Sequence, residues 1–466
     1  LGEVCTKLKS LTQKFYSGDL TKDLSDWRTP SISATDECAR KDGGSHTEFN
    51  RVLCQDLRDN YRSIWSNKTP EECWKRTAHE WGSIQYQNTE LPLFSFGFSK
   101  ETVRNVVADA VIRADHCEAT VHMVLEPFKV RVITAGPGKI YQGGRLLQPI
   151  LHGRLRYRPC FQFIGKRNNV EDMCAMYLGT ILQEEWKFDF EYSLGRKDGR
   201  TFFVAGDFKT ATDGMHPNLP AGFIDTIALF SNLGPFWIKV MRLTLGPHHL
   251  KYSDGEVIIQ CWGQLMGSPL SFPILNLVNA AVLWASAEEY YDRSLSWEFV
   301  ERMFRPMFNG DDVSFTSNRV HYPIWKLIAT SAGLTPSPGK NYCTPLFVDI
   351  NSTLYWVEAE KTEVTGESRV SGLSELFVLN PGLLKGQAKV MNDTRMDVVE
   401  KVGPTSSVMP YCDQLAEVKR VCPEEMSKTV DEIFFDHLKD RLESSQRSWN
   451  LPPFLGGLGL PFGKEP

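Results

Sequence analysis

The stretch Met303-Phe-Arg-Pro-Met-Phe-Asn-Gly-Asp-Asp-Val-Ser-Phe315 constrains this chain more than any other. Two largely apolar runs flank an Asn-Gly-Asp-Asp tip, and Asn-Gly between residues of β type is the strongest short signal for a hairpin. Gly310 lets the backbone turn, and the turn lifts Asp311 and Asp312 clear of the strands. Adjacent carboxylates repel one another, so such a tip persists only in water or against cations. An isolated Gly-Asp-Asp reads as a solvated turn; the segments upstream decide otherwise here.

Thr201-Phe-Phe-Val-Ala-Gly-Asp207 is a short apolar run that ends in a carboxylate, the pattern of a buried strand delivering Asp207 to the end of a sheet. Asp213 follows one turn later. A carboxylate at a strand's end and a second on a hairpin tip can share two divalent metals roughly 3.5–4 Å apart. Helical segments then occupy 216–245, with Gly246 and prolines marking an excursion away from the sheet.

Gly263-Gln-Leu-Met-Gly-Ser-Pro-Leu-Ser-Phe-Pro-Ile-Leu-Asn-Leu-Val-Asn279 reads as a loop feeding a buried helix. Gly267 and Ser268 offer a small-residue approach for a ligand backbone. On a helix Asn279 lies about 80° round from Ser271 and Asn276 about 140° away, so Asn279 is the better partner for that serine. The plain alternative for both amides is a core helix residue satisfied by backbone. No charge occurs between Val257 and Ala287, but the glutamines, prolines and asparagines within suit an internal helix better than a membrane span.

Charge is informative only locally. The chain carries a formal −5 over 466 residues, so a polyanion site must be a concentration of Lys and Arg. Glu126-Pro-Phe-Lys-Val-Arg-Val-Ile-Thr134 alternates as a strand with Lys129 and Arg131 on one face. The basic band continues through Lys139, Arg145, Arg154, Arg156 and Arg158 to Lys166-Arg167, nine basic residues against the single acid Glu126. Phe128, Tyr141, Tyr157 and Phe161 interleave, as a triphosphate or nucleic-acid track needs; a solvated strand face is the alternative for the three arginines 154–158.

Chain length implies two to four subdomains. Eleven scattered cysteines without a Cys-x-x-Cys pair favour reduced thiols in a cytosol-like compartment. The absent initiator Met suggests an excerpt or a processed product, and no secretory pattern opens the chain. His116, Cys117 and His122 lack the second ligand pair a zinc site wants. Thr335-Pro-Ser-Pro-Gly-Lys340-Asn is not a P-loop, since the glycine spacing is wrong and Asn341 stands where Ser or Thr belongs.

Further elements follow from pattern. A helix is bracketed by Pro323 and Gly333, with Ile324, Leu327 and Ile328 on one face. A hairpin is expected around 346–356. A helix over 429–443 opens with the capping box Thr429-Val-Asp-Glu432 and buries Val430, Phe434, Leu438 and Leu442.

In chain order, Glu-Pro-x-Lys-x-Arg at 126–131, Asp207 and Asp213, Gly-Ser-Pro-Leu-Ser with a downstream Asn, Gly-Asp-Asp at 310–312 and Gly-Lys at 339–340 resemble the ordered motifs of viral RNA-directed RNA polymerases. Gly-Gln-Leu-Met-Gly-Ser-Pro, Asp-Ile-Asn-Ser-x-Leu from Asp349, Gly-Leu-Leu-Lys-Gly-Gln387 and Leu-Gly-Gly-Leu-Gly-Leu460 are most similar to the narnavirus and ourmia-like (botourmiavirus) branch. The resemblance spans roughly 126–460 and leaves the first 125 residues unmatched.

The resemblance implies an α+β right hand: fingers, a palm of antiparallel sheet backed by helices, and a thumb. Its divisions are an N-terminal extension and fingers over 1–125, fingers with the basic track over 126–200, palm over 201–214, a fingers excursion over 215–255, palm over 256–370, and thumb with tail over 371–466. By the same resemblance Asp207 and Asp311 hold two Mg²⁺ ions, or Mn²⁺, with Asp312 assisting. Lys129 and Arg131 grip the triphosphate, and Lys340 is a candidate general acid. Asp213, Ser268, Ser271 and an asparagine contact the nucleotide and its ribose 2′-hydroxyl. Many relatives carry that asparagine four residues after the serine, where this chain has Leu275, so Asn279 or Asn276 must substitute. Template and nascent RNA lie along Lys139, Arg145, Arg154, Arg156 and Arg158. No obligatory protein partner is implied, and the setting is host cytoplasm. A reverse transcriptase, a two-metal nuclease and a non-catalytic RNA-binding protein are the rival readings.

Overall fold

A computed structural model of the chain describes residues 1–21, 24, 30, 35–36, 45, 48–49, 100–126, 129–164, 169–178, 202–351, 353–361, 368–376, 411–422, 424–443, 448–452 and 457–461. The chain divides into two units, one of residues 1–164, 188–195 and 204–343, the other of 165–187, 196–203 and 344–466.

The described helices of the first unit are α1 (Gly2–Tyr16), α2 (Lys100–Arg113), α3 (Gly138–Arg156), α4 (Asn218–Phe230), α5 (Pro235–Leu245), α6 (Ser271–Tyr291), α7 (Trp297–Phe304) and α8 (His321–Ser331), with a single turn at Ala211–Gly214. Its spine is α6. Almost every residue from Ser271 to Ala287 is buried, which explains the uncharged stretch as an internal helix. Each buried Leu, Ile or Val there contributes roughly 1.5–3 kcal/mol through removal from water. Helices α1 and α8 pack against it. No described helix is long and apolar enough to cross a membrane.

One four-stranded sheet has the order β2-β1-β5-β6, built from β1 (Cys117–Glu126), β2 (Lys129–Ala135), β5 (His248–Lys251) and β6 (Val257–Ile259). Strands β1 and β2 are antiparallel, with Val124 opposite Arg131. A second sheet has the order β10-β3-β8-β7, from β3 (Phe202–Gly206), β7 (Met307–Asn309), β8 (Asp312–Ser317) and β10 (Tyr342–Thr344). The two-residue strands β4 (Phe208–Lys209) and β9 (Thr335–Pro336) pair antiparallel, Phe208 opposite Pro336.

Two expectations change here. The arginines at 154–158 do not lie on a strand. Buried Ile140, Leu147, Leu151 and Leu155 recur at helical spacing, and α3 carries Arg154 and Arg156 in its last turn, where cations complement the helix dipole. In α8 the buried face is His321, Trp325 and Ala329, whereas Leu327 is 71% exposed. The Trp325 ring sets that orientation, packing 5.8 Å from Phe208 and 5.4 Å from Phe315.

In the second unit, β11 (Phe347–Ile350), β12 (Thr353–Lys361) and β13 (Ser368–Leu376) form an antiparallel sheet in that order, with Asn351 at φ 55° turning the first pair. Helix Val170–Tyr177 packs on β13. Helices Tyr411–Val421 and Ser427–Glu443 pair through a core of Leu415, Val418, Val430, Phe434, Leu438 and Leu442, closed by Trp449 and Leu460. The expected apolar face is present. The capping box is not: a 3-10 turn over Glu424–Met426 runs directly into the helix, leaving Thr429 inside it.

Candidate active site

All five residues of β3 are buried, and Asp207 follows at its end. Asn341 grips the Asp207 backbone on both sides. Its Oδ1 accepts from the Asp207 N–H at 3.3 Å, and its Nδ2 donates to the Asp207 carbonyl at 2.8 Å. The same carbonyl accepts from the Ser337 N–H at 2.8 Å, so the loop from β9 is laced to Asp207. That loop brings Lys340 Nζ to 2.8 Å from Asp207 Oδ2. The Lys340 ammonium is held above its ordinary range by the Asp207 hydrogen bond and charge, with Asp312 and Asp311 adding to the effect against some desolvation.

The second arm of the site is the hairpin β7–β8. Asn309 pairs with Asp312, so the two-residue loop is Gly310-Asp311, one residue later than the Asn-Gly signal suggested. Asp312 therefore starts β8, half-buried, and only Asp311 projects from the turn. Gly310 has φ 71° and Asp311 is not among the residues of positive φ, the combination of a type II′ turn. Gly310 is buried against α6. Its N–H donates to Asn276 Oδ1 at 2.9 Å, and its carbonyl accepts from Asn279 Nδ2 at 2.6 Å. A Cβ at 310 would meet the Phe272 ring at 2.6 Å. Phe272, Asn276 and Asn279 thus form one helix face, spaced i, i+4, i+7, that cradles the turn.

Asn279 and Asn276 are the two asparagines that the resemblance offers for the ribose. Both amides are buried, at 1% and 0% exposure, and spend their hydrogen bonds on backbone. Ser268 is likewise buried and donates to the Thr244 carbonyl at 2.7 Å. Gly267 makes its close approach to chain rather than ligand, since a Cβ there would lie 2.0 Å from the Thr134 carbonyl oxygen. Ser271 stands at the start of α6 with a buried hydroxyl that has no hydrogen-bond partner.

Asp213 is exposed on its one-turn helix, and partial desolvation raises its carboxyl above the usual range against a hydrogen bond from Thr212. The Gly263–Gln264 backbone is tied to that turn, Gly263 N–H donating to Met215 O at 3.1 Å and Gln264 N–H to Thr212 O at 2.7 Å. The loop before α6 therefore lies against the Asp213 turn.

The basic track is largely taken up by the protein itself. Lys139 Nζ lies 3.7 Å from Glu48 Oε1. Arg145 is desolvated, which lowers its pKa, while the Glu48 charge opposes the shift. Arg154 donates to the Asp19 carbonyl at 3.0 Å, and Arg158 stacks 5.0 Å from the Phe15 ring. Arg156 alone of these five is exposed. Lys129 and Arg131 belong to β2, but their side chains, like Lys166 and Arg167, lie outside the described residues.

Two residues here are not marked by sequence pattern: Asn341 stands out only as a mismatch to a P-loop, and Phe272 not at all.

Among the described residues no three His, Cys, Asp or Glu side chains are gathered closely enough to hold an ion by themselves. The charge pattern nonetheless suits a cation, because three carboxylates already act on the one ammonium of Lys340.

Comparison with known proteins finds similar sequences among viral polymerases. The chain is 28% identical over 399 residues to the RNA-dependent RNA polymerase of Ourmia melon virus, covering 82% of this chain and 43% of that protein. It is 27% identical over 267 residues to the RNA-directed RNA polymerase of Saccharomyces 23S RNA narnavirus, covering 54% of this chain and 26% of the relative. The chain is similar in sequence to these viral polymerases. It spans less than half the length of the curated relatives it matches. No family model matches the chain. Among solved structures, the RNA-dependent RNA polymerase of a human picorbirnavirus superposes at a TM-score of 0.44 and 14% identity, covering 88% of this chain and 76% of that one. The chain presents its two acidic arms at the end of β3 and at the start of β8, neighbouring strands of one sheet.

Proposed function

We propose that this chain is the catalytic portion of a viral RNA-directed RNA polymerase. It would add ribonucleoside monophosphates from triphosphates to an RNA copied from an RNA template, releasing pyrophosphate, in the host cytoplasm. The observation carrying this reading is the placement of Asp207 at the end of β3 and Asp312 at the start of β8, neighbouring strands of one sheet, with Lys340 Nζ 2.8 Å from Asp207 Oδ2. Homology to the ourmia- and narnavirus enzymes supports it.

Asp207 and Asp311, assisted by Asp312, would hold two Mg²⁺ ions, with Mn²⁺ able to replace them. When bound, such ions lower the pKa of a primer 3′-hydroxyl and neutralise charge on the triphosphate and the leaving pyrophosphate. Lys340 is positioned beside Asp207 to give a proton to the departing pyrophosphate. Lys129 and Arg131 on β2 would bind the triphosphate. Asp213 and the partnerless Ser271 hydroxyl are the remaining candidates for the ribose 2′-hydroxyl. Residues 201–214 and 256–370 would form the palm, and 371–466 the thumb and tail.

Primer extension on an RNA template with Mg²⁺ tests this. Ribonucleotide incorporation that Asp311→Ala abolishes supports the polymerase. Incorporation of deoxynucleotides alone, cleavage alone, or template binding without extension would each overturn it.

A further inference from the structure

Both backbone positions that present the acidic cluster are held by asparagine side chains acting on peptide groups. Asn276 and Asn279 take the N–H and C=O of Gly310, at 2.9 and 2.6 Å. Asn341 takes the N–H and C=O of Asp207, at 3.3 and 2.8 Å. We propose that these three asparagines are positioning residues that fix the separation of the two acidic arms, and through it the protein's affinity for divalent cations, rather than selectors of the sugar. The proposal rests on the polymerase reading above.

The physical case begins with the turn. Strand pairing at Asn309 and Asp312 fixes the hairpin's ends, but the peptide planes flanking Gly310 are set only by what they bond to. A glycine at φ 71° has wide freedom, and a pivot there would swing Asp311. Two amides from one rigid helix remove that freedom, while the Phe272 ring closes the side where a Cβ would sit. The Asn279 Oδ1 is buried and has no hydrogen-bond partner, a cost that leaves the Nδ2 donation to Gly310 as the amide's contribution. At the other arm, Asn341 performs the same two-sided grip, and its Nδ2 also donates to Ser337 O at 2.7 Å, so the Lys340 loop and Asp207 move as one piece.

The donor and acceptor roles differ by position, which makes the proposal sharp. Asn276 acts on Gly310 as an acceptor, so Asn276→Asp keeps that bond and gives up only the Nδ2 donation to Phe272 O within α6. Asn279 acts as a donor, so Asn279→Asp loses it and sets a carboxylate against a carbonyl.

The test uses the full chain with Asn276→Ala, Asn279→Ala, Asn341→Ala and the two Asp variants. Mn²⁺ binding is followed by electron paramagnetic resonance without RNA or nucleotide, alongside melting temperature, kcat, KM and the ratio of ribo- to deoxynucleotide use. The alanine variants should bind Mn²⁺ about 10–100-fold more weakly, the range for residues that orient metal ligands. Their kcat should fall roughly 100-fold, with KM and sugar preference unchanged. Asn276→Asp should bind more tightly than Asn276→Ala, and Asn279→Asp no better than Asn279→Ala. Unchanged Mn²⁺ affinity in folded alanine variants would overturn the proposal, as would a collapse of sugar preference. Should the alanine variants melt below assay temperature, the Asp pair decides, equal behaviour of the two counting against it. A wild-type chain that neither binds Mn²⁺ nor extends a primer sinks the polymerase reading and this one together; an active wild type matched by its variants sinks this one alone.

Discussion

Lys340 Nζ lies 2.8 Å from Asp207 Oδ2, joining residues 133 positions apart through a loop that the Asn341 side chain ties to the Asp207 backbone. Asp312 and Asp311 add to the field on the same ammonium. The pair is open to water on the lysine side, which is 68% exposed, so its net contribution to stability is small. Its consequence is positional: a mobile cation is kept beside the carboxylate end of β3.

Replacing Lys340 by Met should therefore leave the melting temperature nearly unchanged while reducing turnover. A proton donor at the reacting centre is worth about 10²–10⁴-fold in rate, and kcat should fall within that range with KM for the nucleotide unaffected. Lys340→Arg keeps the charge, but a guanidinium releases its proton far less readily than an ammonium, so it should recover little of the loss. Single-turnover incorporation measured for the three proteins checks this; full activity of Lys340→Met would remove the lysine from the chemistry.

Gly310→Ala combines two penalties at one atom. A non-glycine residue at φ 71° costs roughly 1–2 kcal/mol, and the new methyl would sit 2.6 Å from the Phe272 ring. The variant should melt several degrees lower and lose most of its incorporation activity. Pairing it with Phe272→Leu, which opens space beside the turn, should return stability in part but not the backbone cost. Thermal melts of the single and double variants separate the two terms.

The arginines of α3 make a third test. Arg154 bonds the Asp19 carbonyl, so Arg154→Ala should lower stability by about 1–2 kcal/mol and leave the salt dependence of RNA binding alone. Arg156 is exposed, and Arg156→Ala should leave stability alone while reducing the slope of log affinity against log salt by about one. Filter binding across a salt series, together with melts, checks both. Equal salt slopes for the two variants and the parent would exclude Arg156 from the template track.

The elements defined by local pattern were the most legible. Strand β3, the hairpin around Gly310 and the apolar face of the helix Ser427–Glu443 could all be read because each is defined by local period and turn chemistry. What escaped was decided by tertiary partners. Charged residues at 139–158 looked like a ligand track in sequence, yet Glu48, Asp19 and Phe15 claim most of them from far away in the chain. Trp325 outweighed Leu327 in orienting α8 because an indole offers more surface to bury than a leucine. The amide clamps on Gly310 and Asp207 join residues 31 to 134 positions apart, beyond any window in which periodicity speaks.

Acid should unfold the first unit through its buried histidines. His321 is fully buried, its Nε2 3.0 Å from Ser286 Oγ and its Nδ1 2.8 Å from Ser317 Oγ, with the rings of Tyr290, Phe304 and Phe315 around it. Loss of water around the charged form lowers its pKa from 6.5 to about 3. Burial lowers His248 and His152 to about 4 in the same way. The unfolded chain binds these protons near 6.5 and the folded chain does not, so between the two values the unfolded state holds more protons. Stability then falls as pH drops from about 6.5 toward 3, and His321 by itself removes on the order of 2 kcal/mol at roughly pH 5. His321→Asn should be less stable at neutral pH yet show a shallower acid limb. Urea melts at stepped pH measure both quantities, and identical acid limbs for parent and variant would show that His321 takes up no proton on unfolding.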